Sequence, residues 1–205
     1  MIDLTLMYAT HDAFRRDLGR LALVAATGEI GSREALRAGW NDFRRFLTVH
    51  HVAEDAVLWP ALRAKLSERP ADLRLLDDME AEHAELDPLL EAVDMAIAVG
   101  DPVALDEHGD ALVGGLAAHL DHEETDALPL ICETLTDAEW AAFGHEQRRR
   151  LGLSGAAEYF PWLLDGVPED RAHEVLSILP PPLRLVYHAL WAPRHRRRPR
   201  WNAVT

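Results

Sequence analysis

Apolar residues recur three and four apart near the start of the chain, at Leu4, Met7, Phe14, Leu18, Leu21 and Ala25. That spacing predicts a helix that turns one stripe toward a core, and His11 falls within the stripe. Asp3 can cap its start and Gly28 its end. A second stripe follows Ser32 through Leu36, Trp40, Phe43, Leu47, His50, Glu54, Val57 and Ala61. Pro60 has no backbone donor and should kink this helix after Glu54 or disturb a turn of it. The third, over roughly 71–99, runs Leu76, Met79, His83, Leu86, Leu90, Val93 and Ile97, with Pro88 as a kink and Gly100 as a stop. Asp101 and Pro102 make a cap and a first helical residue. They open a fourth stripe of Leu105, Leu112, Leu116, His119, Glu123, Ala127 and Leu130. Four long amphipathic helices with short connections predict an all-α fold, an antiparallel up-down-up-down four-helix bundle over residues 1–135.

Beyond residue 135 the pattern shortens. Thr136 to Glu139 reads as a capping box opening a helix with Trp140 and Phe143. Pro161, Pro168 and Pro180 to Pro182 then punctuate a segment whose Phe160, Trp162, Leu163, Leu176 and Leu179 are too apolar for a free tail. Residues 136–193 are therefore expected as two or three short helices packed on the bundle. Residues 194–205 are expected as a basic, flexible end, with five arginines between Arg194 and Arg200.

Composition narrows the chemistry. The single cysteine, Cys132, leaves neither a disulfide framework nor a thiolate cluster, so a metal here would use nitrogen and oxygen donors. The formal charge is −14, about −18 of it on residues 1–140 and +4 on the rest, which argues against nucleic acid as a partner. The basic end would find a nearer acidic partner in its own bundle. The sequence has no apolar run long enough to span a bilayer and no signal-like leader, so no membrane partner and a cytoplasmic location are expected.

The polar interruptions of the stripes repeat. His119 laid on His50 puts Glu123 on Glu54, Glu124 on Asp55 and Pro129 on Pro60, and each motif follows a lone histidine, His11 or His83, by 39 or 36 residues. In a helix, residues four apart lie about 40° from each other on one face, so each His-x-x-x-Glu can aim both groups at one ion. Buried carboxylates need compensation. A cation held by His11, His50, Glu54, His83, His119 and Glu123 supplies it. The two-fold repeat favours two ions sharing the glutamates over one six-ligand cage, and the donor set fits iron first, with manganese or zinc as substitutes. Asp55 and Glu124 are placed behind the cluster, orienting ligand imidazoles. His51 and His122 break the repeat, lying nine and seven residues before their prolines where His50 and His119 lie ten, and are assigned outside the ligand set.

These residues resemble the hemerythrin-like, or HHE cation-binding, proteins. The likeness is carried over about 4–135 by His11 in HDAFRRDL, His50 and Glu54 ahead of LWPAL, His83 in EHAEL, and His119 and Glu123 ahead of LPLI. It implies a four-helix bundle around a non-haem di-iron centre, oxo- or hydroxo-bridged, with those six residues as ligands. Oxygen carriers of the family add a fifth histidine, four residues from the one on the third helix. Here Met79 and Asp87 stand four residues to either side of His83. The resemblance therefore points toward binding or turnover of peroxide, O2 or NO, in the setting of oxidative stress, or toward iron or oxygen sensing without turnover. The electron donor is not legible in the sequence.

Overall fold

The computed structural model describes residues 2–27, 32–152 and 154–201, and every regular element among them is helical. Helix α1 (Thr5–Thr27) begins where the Asp3 carboxylate accepts the Thr5 amide at 2.9 Å. The Gly28 stop lies outside the described residues. Helix α2 (Arg33–Ala53) opens on Ser32, whose hydroxyl accepts from the Ala35 amide at 3.3 Å.

Of the two outcomes expected from Pro60, the structure shows the disturbed turn: the helix widens. Glu54–Leu58 forms one π turn and the chain continues as α3 (Trp59–Lys65). Proline has no N–H to give and its ring crowds the carbonyl four residues back; one extra residue in the preceding turn relieves both problems. The insertion has a visible consequence. The buried stripe moves on by one, so Leu58 and Leu62 are fully buried while the expected Val57 and Ala61 are only half-buried.

Helix α4 (Pro70–Val99) runs through Pro88 as one element and ends on Gly100, whose φ of 75° is the left-handed conformation that terminates helices at little cost in glycine. Helix α5 (Pro102–His122) is capped by the Asp101 carboxylate, which accepts from the Val103 and Ala104 amides at 3.0 and 3.1 Å. It repeats the behaviour of α2. A π turn at Glu123–Ala127 precedes Pro129, and the chain continues as α6 (Leu128–Thr134).

Two apolar clusters fill the interior. One joins Phe14, Leu47, Leu86 and Leu116; the other joins Met7, Leu58, Met79 and Ala127. The polar interruptions, His11, His50 with Glu54, His83, and His119 with Glu123, stand between the two on every long helix.

The segment after residue 135 folds as α7 (Asp137–Leu151), α8 (Gly155–Leu163), α9 (Glu169–Ser177), α10 (Pro181–Val186), a π turn at Tyr187–Trp191, and α11 (Ala192–Arg196). The capping box at the start of α7 is present, the Thr136 hydroxyl accepting from the Glu139 amide and the Glu139 carboxylate accepting from the Thr136 amide. Helices α8, α9 and α11 and the end of α7 join the larger apolar cluster, while Phe143 of α7 packs in the smaller one. Trp162 packs with its ring centre 4.6 Å from that of Phe46, and its indole N–H donates to the buried Asp17 carboxylate at 2.8 Å.

The basic end departs from expectation. As far as Trp201 it is seated: Arg200 donates to Asp42 at 2.5 Å, the Trp201 amide donates to the Ala35 carbonyl at 2.7 Å, and the indole is 3% exposed. It lies over Gly39, where an added Cβ would meet the indole at 2.6 Å. The run of arginines masked an aromatic anchor. Residues 202–205 lie outside the described residues.

Candidate metal centre

Each helix delivers its polar residues to the same level. α1 brings His11, α2 brings His50 and His51, α4 brings His83, α5 brings His119, and the two π turns begin on Glu54 and Glu123. All seven side chains are buried, with both glutamates and His11 fully so. The six residues expected from the repeat come together.

The cluster has two lobes. In one, His11 Nε2 lies 3.1 Å from His50 Nε2 and 3.2 Å from Glu123 Oε2. In the other, donor atoms of His51, His83 and His119 lie within 4.8 Å of one another. Glu54 spans them, with Oε1 3.0 Å from His50 Nε2 and Oε2 3.6 Å from His83 Nε2. His51 thus stands inside the cluster, against the expectation that placed it outside. It stacks on His83, the ring centres 4.0 Å apart and the planes at 9°. The physical reason lies in helix geometry: consecutive residues are about 100° apart around the axis, so His50 faces His11 while His51 faces α4. Counting back from a proline chooses one of the two neighbours and has no means of admitting both. His122 stays at the edge, about a third exposed.

Carboxylates hold most of the imidazoles from behind. His11 Nδ1–H donates to Glu124 Oε1 at 2.8 Å, and Arg15 steadies the same oxygen at 2.6 Å. His83 Nδ1–H donates to Asp55 Oδ1 at 2.8 Å. These are the two acidic residues the repeat pointed to. Glu82 was missed: its oxygens accept from His119 Nδ1–H at 2.8 Å and His122 Nδ1–H at 2.7 Å. The signal was present, because an acidic residue adjoins His83 as one adjoins Glu54 and Glu123. Gln147 on α7 was also missed, its amide 3.3 Å from His50 Nδ1. No local pattern links residues so far apart.

Such bonds place the proton on Nδ1 and turn each Nε2 lone pair inward. The His11 and His50 Nε2 atoms meet each other, and the remaining inward atoms find nothing to bond. His51 Nε2, His83 Nε2, His119 Nε2 and both oxygens of Glu54 and of Glu123 are buried without a hydrogen-bond partner. At roughly 1–3 kcal/mol for each such atom, the burden is on the order of 10 kcal/mol, comparable with the whole net stability of a domain, and bound cations would relieve it.

The electrostatics carry the same message. Burial and the neighbouring Glu123 push the Glu54 carboxyl well above the usual range. Burial also pushes the His50 and His51 imidazoles well below theirs, with His11 adding to the effect at His50 and His83 at His51. His11 goes the other way. Burial would lower it, but Glu123 and Glu124 outweigh burial and lift it to about 9. The His11 imidazolium balances Glu123 alone, which leaves Glu54 to hold a buried proton and the inward nitrogens of His51, His83 and His119 without partners. Cations would partner them, and a nitrogen and oxygen donor set without thiolate suits iron, manganese or zinc. The residues present therefore fit the metal centre that their pattern implies.

Comparison with curated proteins and with solved structures finds no match. The family described as the hemerythrin HHE cation-binding domain matches residues 3–131, more than half of the chain and the whole span from His11 to Glu123. The chain belongs to the hemerythrin HHE cation-binding family.

Proposed function

We propose that the chain holds two non-haem iron ions and uses them to bind or turn over a small oxidant or diatomic ligand: peroxide, O2 or NO. His11 and His50 would hold one ion and His51, His83 and His119 the other, with Glu54 and Glu123 shared. The observation that carries this reading is the convergence of seven buried, unpartnered nitrogen and oxygen atoms on one level of the helices. An up-down-up-down course of α1, α2, α4 and α5 is part of the proposal. It is supported by the order in which each helix meets the apolar clusters: Met7 before Phe14, Leu47 before Leu58, Met79 before Leu86, and Leu116 before Ala127.

Iron bound there supplies Lewis acidity and a one-electron redox couple. The protein's own part is to fix the ligand imidazoles through Glu124, Asp55 and Glu82, to keep both glutamates dry, and to exclude bulk water with the apolar cluster around Leu58 and Ile131. A reading without turnover, as an iron or oxygen sensor, draws on one observation. The Gln147 contact ties α7 to His50, so a change at the centre has a route into the extension. Elemental analysis and the optical spectrum of freshly purified protein test the centre, and steady-state peroxide disappearance separates turnover from sensing. Turnover predicts many peroxides consumed per chain in the presence of reductant. A sensor consumes no more than its iron can reduce.

A further inference from the structure

We propose that Gln147 is a positioning residue for His50, and that the chamber it closes is the path by which a small uncharged ligand reaches the His11 and His50 lobe. This rests on the two-ion reading above.

Within the cluster, the four imidazoles with a partner at Nδ1 are not held alike. His11, His83 and His119 each donate to a carboxylate carried by the bundle. His50 meets an amide, and that amide comes from α7. Gln147 Nε2 is the atom that faces His50 Nδ1, at 3.3 Å, and a half-turn about the terminal bond of the side chain presents its oxygen to an Nδ1–H instead. Hydrogen bonds to an ionised acceptor are roughly twice as strong as neutral ones, so His50 is the less electron-rich donor. An ion held beside it would keep more of its Lewis acidity. His11 and His50 would give an ion on this side two imidazoles, where His51, His83 and His119 would give its neighbour three.

A hollow leads to this lobe. A chamber of about 130 Å³ lies between α1, α2 and α7, walled by Leu6, Met7, Thr10, Phe143 and Gln147 and ending on His50. A second hollow of about 10 Å³, room for one water, also touches His50 beside Thr10 and Tyr159. Larger hollows of about 320 and 230 Å³ open beside Arg171 and Arg194, with no residue of the cluster in their walls. A chamber of 130 Å³ is well below the roughly 300 Å³ at which sites for organic ligands begin. It suits molecules of two to four heavy atoms. Its walls are mostly apolar, its Thr10 hydroxyl is already bonded to Tyr159 at 2.5 Å, and its charged group, Asp3, is acidic and exposed. An anion is disfavoured and a neutral diatomic or peroxide is admitted. The roof belongs to the extension, and Trp140 fastens it by donating to the Asp3 carbonyl at 3.2 Å.

The test uses the full chain loaded with iron-57. Gly144 lines the chamber, and a Cβ added there meets nothing within 4 Å, so Gly144→Leu adds bulk at the chamber wall with no clash at its Cβ. It should keep the wild-type iron content and slow nitric oxide association, followed by stopped flow on the ferrous protein, by about tenfold. Gln147→Leu should keep the iron but shift the Mössbauer signal of one ion, and Gln147→Glu should shift it in the opposite sense. Unchanged nitric oxide kinetics in Gly144→Leu, or unmoved spectra in both Gln147 variants, would overturn the proposal. A readout that needs no metal separates its failure from that of the two-ion reading. With carbon-13 in the methionine methyls of the metal-free chain, xenon should move the Met7 signal and leave the exposed Met95 signal in place. Gly144→Leu should abolish that shift, and no shift in the wild type overturns the chamber even if two irons are found.

Discussion

The two lobes of the cluster derive from motifs that look alike in sequence and are built differently. One has His11, His50 and Glu123, lies under α7, and touches a small chamber. The other has three stacked or edge-on imidazoles, His51, His83 and His119, with Asp55 and Glu82 behind two of them. An internal repeat thus placed two equivalent helix pairs, and one extra histidine on one helix broke their equivalence. His51 restores a fifth imidazole that the third helix lacks, and supplies it from the second. The difference teaches how one added histidine can make the sides of such a cluster unequal: the lobe with fewer imidazoles is the one beside the chamber.

The largest effect should come from the residues common to both lobes. Glu54→Ala or Glu123→Ala should lose at least one ion of two by elemental analysis, and full retention in both variants would break the shared-carboxylate account. Removing metal from the wild type should come next. Binding at 1,000 times the dissociation constant is worth about 4 kcal/mol, so the melting temperature of the metal-free chain should fall by about 10 °C or more. Equal melting temperatures would mean the buried atoms need no cation. His51→Ala then sharpens the comparison between lobes: it should cost the three-histidine side its ion and spare the other, while His122→Ala keeps both. Loss of metal in His122→Ala would move the boundary of the cluster.

Smaller effects belong to the seat of the carboxy-terminal segment. Trp201→Ala should destabilise the chain by about 3 kcal/mol in denaturant titration and leave metal content unchanged. Gly39→Ala should act in the same direction by displacing the indole. The mildest prediction concerns pH. Burial, with Arg200 adding, lowers His195 to about 4, below its ordinary 6.5, so the unfolded chain binds the extra proton. The stabilisation from this site is complete above about 6.5 and is lost as pH falls through about 4. Hydrogen exchange around Trp201 should quicken across that window, and His195→Phe should flatten the response.

Much of this arrangement was legible in the chain. The stripes of α1, α4 and α5 and their caps are local, period-driven features, and Phe14, Leu86 and Leu116 are buried where the spacing put them. The six repeat positions were legible because two copies of one motif constrain each other. What escaped has identifiable causes. The π turns shift the buried stripe from Val57 to Leu58, a one-residue change that a fixed helical period cannot express. His51 escaped because the two-fold pattern required one histidine where the helix could use two. Gln147 and Trp201 escaped because contacts across the fold, to His50 and to Ala35 and Gly39, leave no trace in spacing.

The most direct test of the two-ion, two-lobe centre is a Mössbauer spectrum of the full chain loaded with iron-57, taken together with the iron-to-protein ratio. The account predicts two irons per chain and two distinct quadrupole doublets of equal area, of which His51→Ala removes one. One iron per chain, or a single doublet that His51→Ala leaves untouched, would contradict it.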